Sequence, residues 1–373
     1  MRILALVTDA YGGHGGIALC NRDVLESFDA MAEVDEIVVL PRHISSPPGR
    51  IPERVRLARS AGSKARYALT ALTVGRGPWD VIFCGHVNLL PLAIVLKRFL
   101  RAPVVLMVHG IDVWKPPYAL ARRWVDGADE IWAVSATTRD RMNIWANQPL
   151  SKFTVIPNAI HLERYGVADK RTDLLQRYQL EGAKVVMTLA RLPSADRYKG
   201  VDEVLEVMPA LLAVEPSIMY LVAGEGADRP RLEAKAHTLG LKDRVVFTGM
   251  VEEAEKADLF RLADVFVMPG RCEGFGFVFL EAMACGVPVV GSLLDGSREA
   301  LRDGLLGALV DPTDQSSIRD AILDALNSPK KIPSGLNHFA WPTYAGRVAQ
   351  SVCRMTSDHR VHSGDGVDKR LQY

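Results

Sequence analysis

Two carboxylates stand eight residues apart in the stretch Arg271-Cys-Glu273-Gly-Phe-Gly-Phe-Val-Phe-Leu-Glu281. Glu273 falls in a glycine-rich loop, and Glu281 falls about one turn inside the helix that the apolar run from Phe277 predicts. Gly274 and Gly276 carry no Cβ, so the backbone there can come close to a ligand. A helix entered through glycines turns its unpaired N–H groups and positive dipole end toward that loop, which suits a phosphate. Glu281 would repel a phosphate but can accept hydrogen bonds from neighbouring sugar hydroxyls. An anion at the helix end with hydroxyls at both carboxylates describes a nucleotide-sugar.

Cations are placed to match. Arg191 and Lys199, in Ala190-Arg-Leu192…Arg197-Tyr198-Lys199-Gly200, follow a predicted strand. Ligands of open α/β sheets bind at that carboxyl end. A guanidinium and an ammonium beside one diphosphate would stabilise charge on a departing nucleotide. The bland alternative is a pair of solvated surface cations, and Arg197 is divided evenly between the two. His109, in Val108-His-Gly-Ile-Asp112, also leaves a strand and could donate to a sugar hydroxyl or to a backbone carbonyl. Gly224, in Gly224-Glu-Gly226, gives a turn at the corresponding place, near phosphate or base, and Thr248-Gly249-Met250 offers backbone to a nucleobase edge. Ser135 and Asn158 read as cap and turn residues.

The first glycine cluster, Gly12-Gly-His-Gly15-Gly16, opens a helix after the first strand. A dinucleotide site would place an acid at the end of the second strand, whereas Asp35 and Glu36 stand at its start. Close approach of backbone to a diphosphate or an acceptor is the alternative use, and a tight turn is the plain one for Gly12 and Gly13.

The elements that must position these groups alternate along the chain. Strands are predicted at 3–8, 36–40, 81–84, 104–108, 130–134 and 153–156, and again at 184–189, 218–223, 244–247, 265–268 and 287–290. Helices at 17–30, 65–74, 90–100, 201–213, 230–239, 252–262 and 277–284 separate several of them. Such alternation implies parallel sheets covered on both faces. The chain of 373 residues suits two such cores.

Composition narrows the function. Apolar content of 48% and charged content of 24% are those of a globular protein, and a net charge of +1 argues against nucleic-acid binding through phosphate neutralisation. Cys20, Cys84, Cys272, Cys285 and Cys353 form no CxxC pair, which fits a reducing cytoplasm. The apolar start ends at Asp9 and reads as a buried strand rather than a leader. Seven Lys/Arg against the single acid Glu53 between Arg50 and Arg76 make a basic region that could dock on anionic lipid, with a solvated helix face as the alternative. His359 and His362 lie in a polar tail and read as solvated rather than metal-binding.

Taken in order, these pieces resemble the retaining glycosyltransferases of family 4, with the GT-B fold. The resemblance rests on the Gly-Gly turn after strand one, His109-Gly-x-Asp112, Ile156-Pro-Asn158, Ala190-Arg-Leu192…Lys199-Gly200, Gly224-x-Gly226, Glu273-x7-Glu281 and Trp341-x-x-Tyr344. It implies two doubly wound Rossmann-like α/β domains facing an interdomain cleft, with a C-terminal helix crossing back to the first. The boundaries are an acceptor domain at 1–164, a link at 165–182, a donor domain at 183–338, a crossover helix at 339–355 and a disordered tail at 356–373. By the same resemblance, Arg191 and Lys199 bind the donor diphosphate, Glu281 the ribose and Glu273 the transferred sugar. His109 approaches that sugar, and Gly15 or Gly16 borders the diphosphate and acceptor. Gly224, Gly274, Phe275 and Gly276 complete the donor set, and neither a metal nor another cofactor is expected. The interval from Arg191 to Lys199 is longer than the commonest family form.

The expected reaction moves a mannose- or glucose-type hexose onto a glycan or lipid-linked acceptor in polysaccharide or glycoconjugate biosynthesis. The Arg197-Tyr-Lys-Gly200 ending resembles that of some exopolysaccharide mannosyltransferase-like members, and this resemblance implies GDP-mannose slightly ahead of UDP-sugars. A GT-B-like epimerase or phosphorylase and a non-catalytic nucleotide-sugar-binding protein remain as alternatives. A glycosidase has little use for Arg191 and Lys199. The expected location is cytoplasmic, or peripheral at the inner face of a membrane.

Overall fold

A computed structural model describes residues 1–13, 15–60, 62–194 and 197–364. The chain divides into two compact units, one of residues 1–159 with 341–373 and one of residues 160–340.

The first unit holds a seven-stranded sheet. Its strands are β1 (Arg2–Val7), β2 (Glu36–Pro41), β3 (Val55–Leu57), β4 (Val81–Cys84), β5 (Val104–Val108), β6 (Glu130–Ala133) and β7 (Phe153–Val155). All pairs are parallel, in the order β3-β2-β1-β4-β5-β6-β7. The central strands read as unbroken apolar runs because both faces are covered. On one face Leu4, Leu6, Ile82, Leu106 and Ile131 meet the helices Lys64–Val74 and Leu90–Leu100. On the other, Phe28, Phe83 and Trp132 meet edge-on or tilted at centroid distances of 5.7 to 6.3 Å.

The second unit holds a six-stranded parallel sheet: β8 (Lys184–Leu189), β9 (Ile218–Ala223), β10 (Val245–Gly249), β11 (Val265–Met268), β12 (Val289–Ser292) and β13 (Ala308–Val310). Its order is β10-β9-β8-β11-β12-β13. In each sheet the order reverses beside the first strand, at β1/β4 and at β8/β11, which is where doubly wound sheets open toward ligands.

The helix Trp341–Gly364 belongs to the first unit. Tyr344, Val348, Val352 and Met355, spaced four, four and three residues apart, are its buried stripe, and it packs on the helix Gly16–Asp29. Buried Glu130 anchors it, accepting from Ser351 Oγ at 2.6 Å and Arg354 Nη2 at 2.8 Å, while Trp132 Nε1 donates to Ser351 Oγ.

Several expectations need correction. The short edge strands β3 and β13 went unread, as did the helix Ala136–Ala146, whose apolar period is weak, and the helix Gln315–Leu326, which buries Ile318, Ile322 and Ala325 at helical spacing. The stretch 165–182 is no free link. Thr172–Arg177 is helical, and Lys170, Arg171 and Arg177 pair with Asp264, Asp258 and Glu255 of the second unit at 2.7, 3.0 and 3.2 Å. Its polarity is that of an ion-paired surface. Residues 356–364 continue the C-terminal helix, with Thr356 buried and His359 Nε2 set 2.9 Å from Arg101 O; residues 365–373 lie outside the described residues.

Candidate active site

The loop between β11 and the helix Phe277–Ala284 carries Glu273 in the second unit. Gly276 is the N-cap of that helix with φ 93°, in the left-handed region that glycine adopts freely, and no side chain caps the N-terminus. Glu273 Oε2 lies 2.5 Å from Lys199 Nζ. Lys199 precedes Gly200, the left-handed N-cap of the helix Val201–Val214. A Cβ at Gly200 would stand 2.6 Å from Pro269, so glycine there lets the two loops meet. Burial pulls the Lys199 ammonium down, but the Glu273 charge outweighs it and holds it above the ordinary lysine value. Lys199 is thus a fixed cation.

Glu281 is only 3% exposed. Its Oε1 accepts from Lys256 Nζ at 2.6 Å and from Tyr165 Oη at 3.0 Å. Burial raises its carboxyl pKa, and Lys256 opposes that rise. Tyr165 and Lys256 carry no sequence signal, since neither sits in a motif or at a strand end. Arg191 is exposed just past β8, close enough to Lys199 to act on its charge, and makes no ion pair among the described residues. Arg197 instead faces buried Asp228 at 3.3 Å, within a network in which Arg231 joins Asp228 to Asp202.

Two donor-set residues have packing roles. The Phe275 ring is 1% exposed and lies edge-on to Phe339 at 5.5 Å, so its side chain packs in the core. Gly224 has φ 126°, and a Cβ there would stand 2.0 Å from Ala190 O, so close backbone packing explains this glycine.

In the first unit, His109 and the Gly15–Gly16 turn lie at the carboxyl edge of the sheet. His109 Nε2 meets Gly85 O at 2.9 Å, and its backbone N–H is shared by the Asp112 carboxylate oxygens at 3.2 and 3.3 Å. Burial brings the His109 pKa down to about 4 and pushes Asp112 up to about 6. His86, unread in the sequence, leaves β4 and stacks on His109 at 6.3 Å. Gly12 and Gly13 have no room for a side chain, since a Cβ would stand 2.5 Å from Ser46 O and 2.7 Å from Ala18 Cβ respectively. Gly15 has open space around it, so no steric reason within the fold demands glycine there.

A parallel-sheet unit with a cation–carboxylate pair at its carboxyl edge, joined to a second Rossmann-like unit, is the build of a GT-B glycosyltransferase. The family model for Glycosyltransferase Family 4 matches residues 20–164, and that for Glycosyl transferases group 1 matches residues 171–334. The chain is 32% identical over 267 residues to a GDP-mannose-dependent alpha-(1-6)-phosphatidylinositol monomannoside mannosyltransferase of Mycolicibacterium smegmatis, covering 66% of this chain and 69% of the relative. It is 30% identical over 310 residues to a phosphatidyl-myo-inositol mannosyltransferase of Mycobacterium leprae, covering 80% and 78%. The solved structure of Anabaena HepE in complex with UDP shares the fold at TM-score 0.76, with 21% identity, 95% of this chain and all of that one covered. Sucrose-phosphate synthase from Thermosynechococcus elongatus does so at 0.73, with 20% identity, 96% and 100% covered. This chain belongs to glycosyltransferase family 4. It is a hexosyltransferase that draws on a nucleotide-sugar, and the epimerase, phosphorylase and scaffold alternatives are not favoured.

Proposed function

We propose that this enzyme transfers mannose from GDP-mannose to a lipid-linked or glycan acceptor with retention at the anomeric carbon, UDP-glucose being the second donor to consider. The observation that carries the donor assignment is the Lys199–Glu273 pair at 2.5 Å beside the glycine-capped N-terminus of the helix Phe277–Ala284. The preference for GDP-mannose and a lipid-linked acceptor draws on the names of the two mycobacterial relatives.

In this reading Lys199, Arg191 and the helix end receive the diphosphate. A diphosphate must compete with Glu273 for the Lys199 ammonium, and that releases Glu273 toward the sugar hydroxyls. Glu281, held by Lys256 and Tyr165, keeps its second oxygen for ribose. The bond from the anomeric carbon to the diphosphate oxygen breaks, and the acceptor oxygen forms its bond on the same face. The acceptor proton passes to the departing phosphate. His109, neutral at physiological pH because burial lowers its pKa, serves the sugar as a hydrogen-bonding group rather than as a cation. Gly15 and Gly16 give backbone access to the diphosphate or acceptor. Charge on the leaving group is met by protein cations and a helix dipole, with no metal in the scheme.

The membrane expectation has one supporting surface. Leu69, Leu72 and Phe99 are 64%, 43% and 73% exposed on the neighbouring helices Lys64–Val74 and Leu90–Leu100, among Lys64, Arg66, Arg76, Arg98 and Arg101. Exposed apolar side chains on helices that also carry exposed cations suit an anionic lipid surface. No helix among the described residues is long and apolar enough to cross a membrane. Co-sedimentation should rise with the anionic fraction of phosphatidylglycerol vesicles, and binding indifferent to lipid charge would remove this reading.

The donor assignment is tested by nucleoside diphosphate release from GDP-mannose, GDP-glucose, UDP-glucose and UDP-galactose. Fastest release from GDP-mannose is expected, and a strong preference for a UDP-sugar would overturn the base assignment.

A further inference from the structure

Glu273 is clamped at both ends of its backbone by consecutive residues of a different loop. Its N–H donates to Asp295 Oδ2 at 2.8 Å, and its C=O accepts the Gly296 N–H at 2.8 Å. Asp295 is 1% exposed, and its Oδ1 accepts the Ser297 N–H at 3.0 Å. Position 296 admits no side chain, because a Cβ would stand 2.1 Å from Gly274 O and 2.9 Å from Glu273 O. Asp295 and Gly296 therefore fit against the glycine-rich loop as one piece.

Burying a carboxylate is unfavourable by several kcal/mol unless other groups compensate. Among the described residues no cation pairs with Asp295, and burial together with the nearby Glu273 charge raises its carboxyl pKa. Its compensation is hydrogen bonding from the Glu273 N–H and from Ser297. An apolar residue would remove the buried charge but leave the Glu273 N–H without an acceptor, so what Asp295 supplies is the placement of that one peptide unit.

We propose that Asp295 is a positioning residue for sugar transfer: it fixes the Glu273 main chain, and with it the approach of the Glu273 carboxylate to Lys199, without touching substrate. This rests on the reading of Glu273 and Lys199 as donor-site groups. With its peptide held at both ends, Glu273 has only side-chain torsions left to set. Freed of the clamp, the loop can shift by about an ångström, a displacement that can lower turnover by about 10²-fold when it misplaces a reacting group.

The test compares Asp295→Ala, Asp295→Asn, Glu273→Ala and the double variant Glu273→Ala/Asp295→Ala, using whichever of GDP-mannose and UDP-glucose the wild-type protein cleaves. Asp295→Ala is expected to lower kcat roughly 30- to 100-fold with donor KM within about threefold. Asp295→Asn keeps the size and one acceptor, and is expected to fall between it and wild type; it also carries the test if the alanine variant does not fold. In the Glu273→Ala background the second substitution should change kcat by less than about twofold, because the clamp then positions nothing. Losses that multiply in the double variant, or an unchanged kcat in Asp295→Asn and Asp295→Ala, would overturn the proposal. A second readout needs no substrate. Lys199 labelling by an amine-reactive reagent should rise in the Asp295 variants, since a displaced Glu273 no longer holds the proton on Nζ, and unchanged labelling would count against the clamp. If wild-type protein cleaves neither sugar nucleotide, the donor reading fails while the labelling result still decides the clamp.

Discussion

Lys199 Nζ and Glu273 Oε2 stand 2.5 Å apart, across two loops that begin at the carboxyl ends of adjacent strands β8 and β11. The two are linked in charge, because the Glu273 carboxylate outweighs the effect of burial on the amine and favours its protonated form. Glu273→Gln should separate binding from chemistry. Calorimetry should show GDP binding retained or tightened, since the ammonium no longer has a competing partner. Turnover of the nucleotide-sugar should fall by roughly 10²–10³, the range for one preorganised transition-state contact. A parallel loss of GDP affinity would place Glu273 in nucleotide binding instead.

Glu281 depends on Tyr165 and Lys256 for its charge to be tolerable at 3% exposure. Tyr165→Phe removes one hydrogen bond to a buried charged group, and a loss of about 1.5–3 kcal/mol in urea unfolding is expected. Lys256→Met leaves the carboxylate unpaired and should lose about 3–5 kcal/mol, less if Glu281 takes up a proton instead. Equal, small effects would show that the triad contributes little.

The glycines divide by what surrounds them. Gly224→Ala forces a side chain against Ala190 O from a left-handed backbone and should lose about 2 kcal/mol or more. Gly15→Ala meets open space at φ −95°, so its melting temperature should stay within about 1 °C of wild type, on the scale that relates small energies to Tm. Any large loss of turnover in Gly15→Ala would then come from ligand approach. Thermal melts beside kinetics on the two variants separate these roles.

Phe275→Ala is expected to act through folding, with about 3–5 kcal/mol lost from the contact with Phe339. Phe275→Leu should restore most of the stability and the donor affinity with it. A donor affinity lost in Phe275→Leu at near-normal stability would return the ring to the ligand surface.

At the edge of the first sheet, opposing titrations meet. Burial lowers the His109 pKa to about 4 and also lowers that of His86. The unfolded histidines bind protons near pH 6.5 while the folded ones resist, so this stability is lost as pH falls from about 6.5 toward 4. Asp112 is raised to about 6, so its folded form holds a proton that the unfolded chain has released, and it favours folding as pH falls over the same window. Asp112→Asn should therefore steepen the fall of Tm below pH 6.5, and His109→Asn should flatten it. Parallel melting curves for all three proteins would contradict the burial of these groups.

Much of this molecule was legible in its residues. Buried parallel strands such as Val104–Val108 and Val265–Met268 are unbroken apolar runs, so both sheets could be read directly. Strand exits then marked Lys199, Glu273 and His109, because ligand chemistry gathers at one edge of such sheets. The edge strands Val55–Leu57 and Ala308–Val310 escaped because three residues are too few to show a period. Tyr165, Lys256, Asp295 and His86 escaped for another reason: each acts through a neighbour distant in sequence. Phe275 and Gly224 sit within motifs, and the motif alone could not distinguish a packing residue from a ligand contact.

The central claim is that the second unit's Lys199 and Glu281 hold the nucleotide-sugar in a state that turns over. Nucleoside diphosphate release from GDP-mannose, measured on wild type, Lys199→Ala and Glu281→Ala, tests it most directly. The account predicts clear release by wild type and a fall of roughly 10²–10³ in each variant, with folded protein verified by circular dichroism. Folded variants that release GDP at the wild-type rate would contradict it.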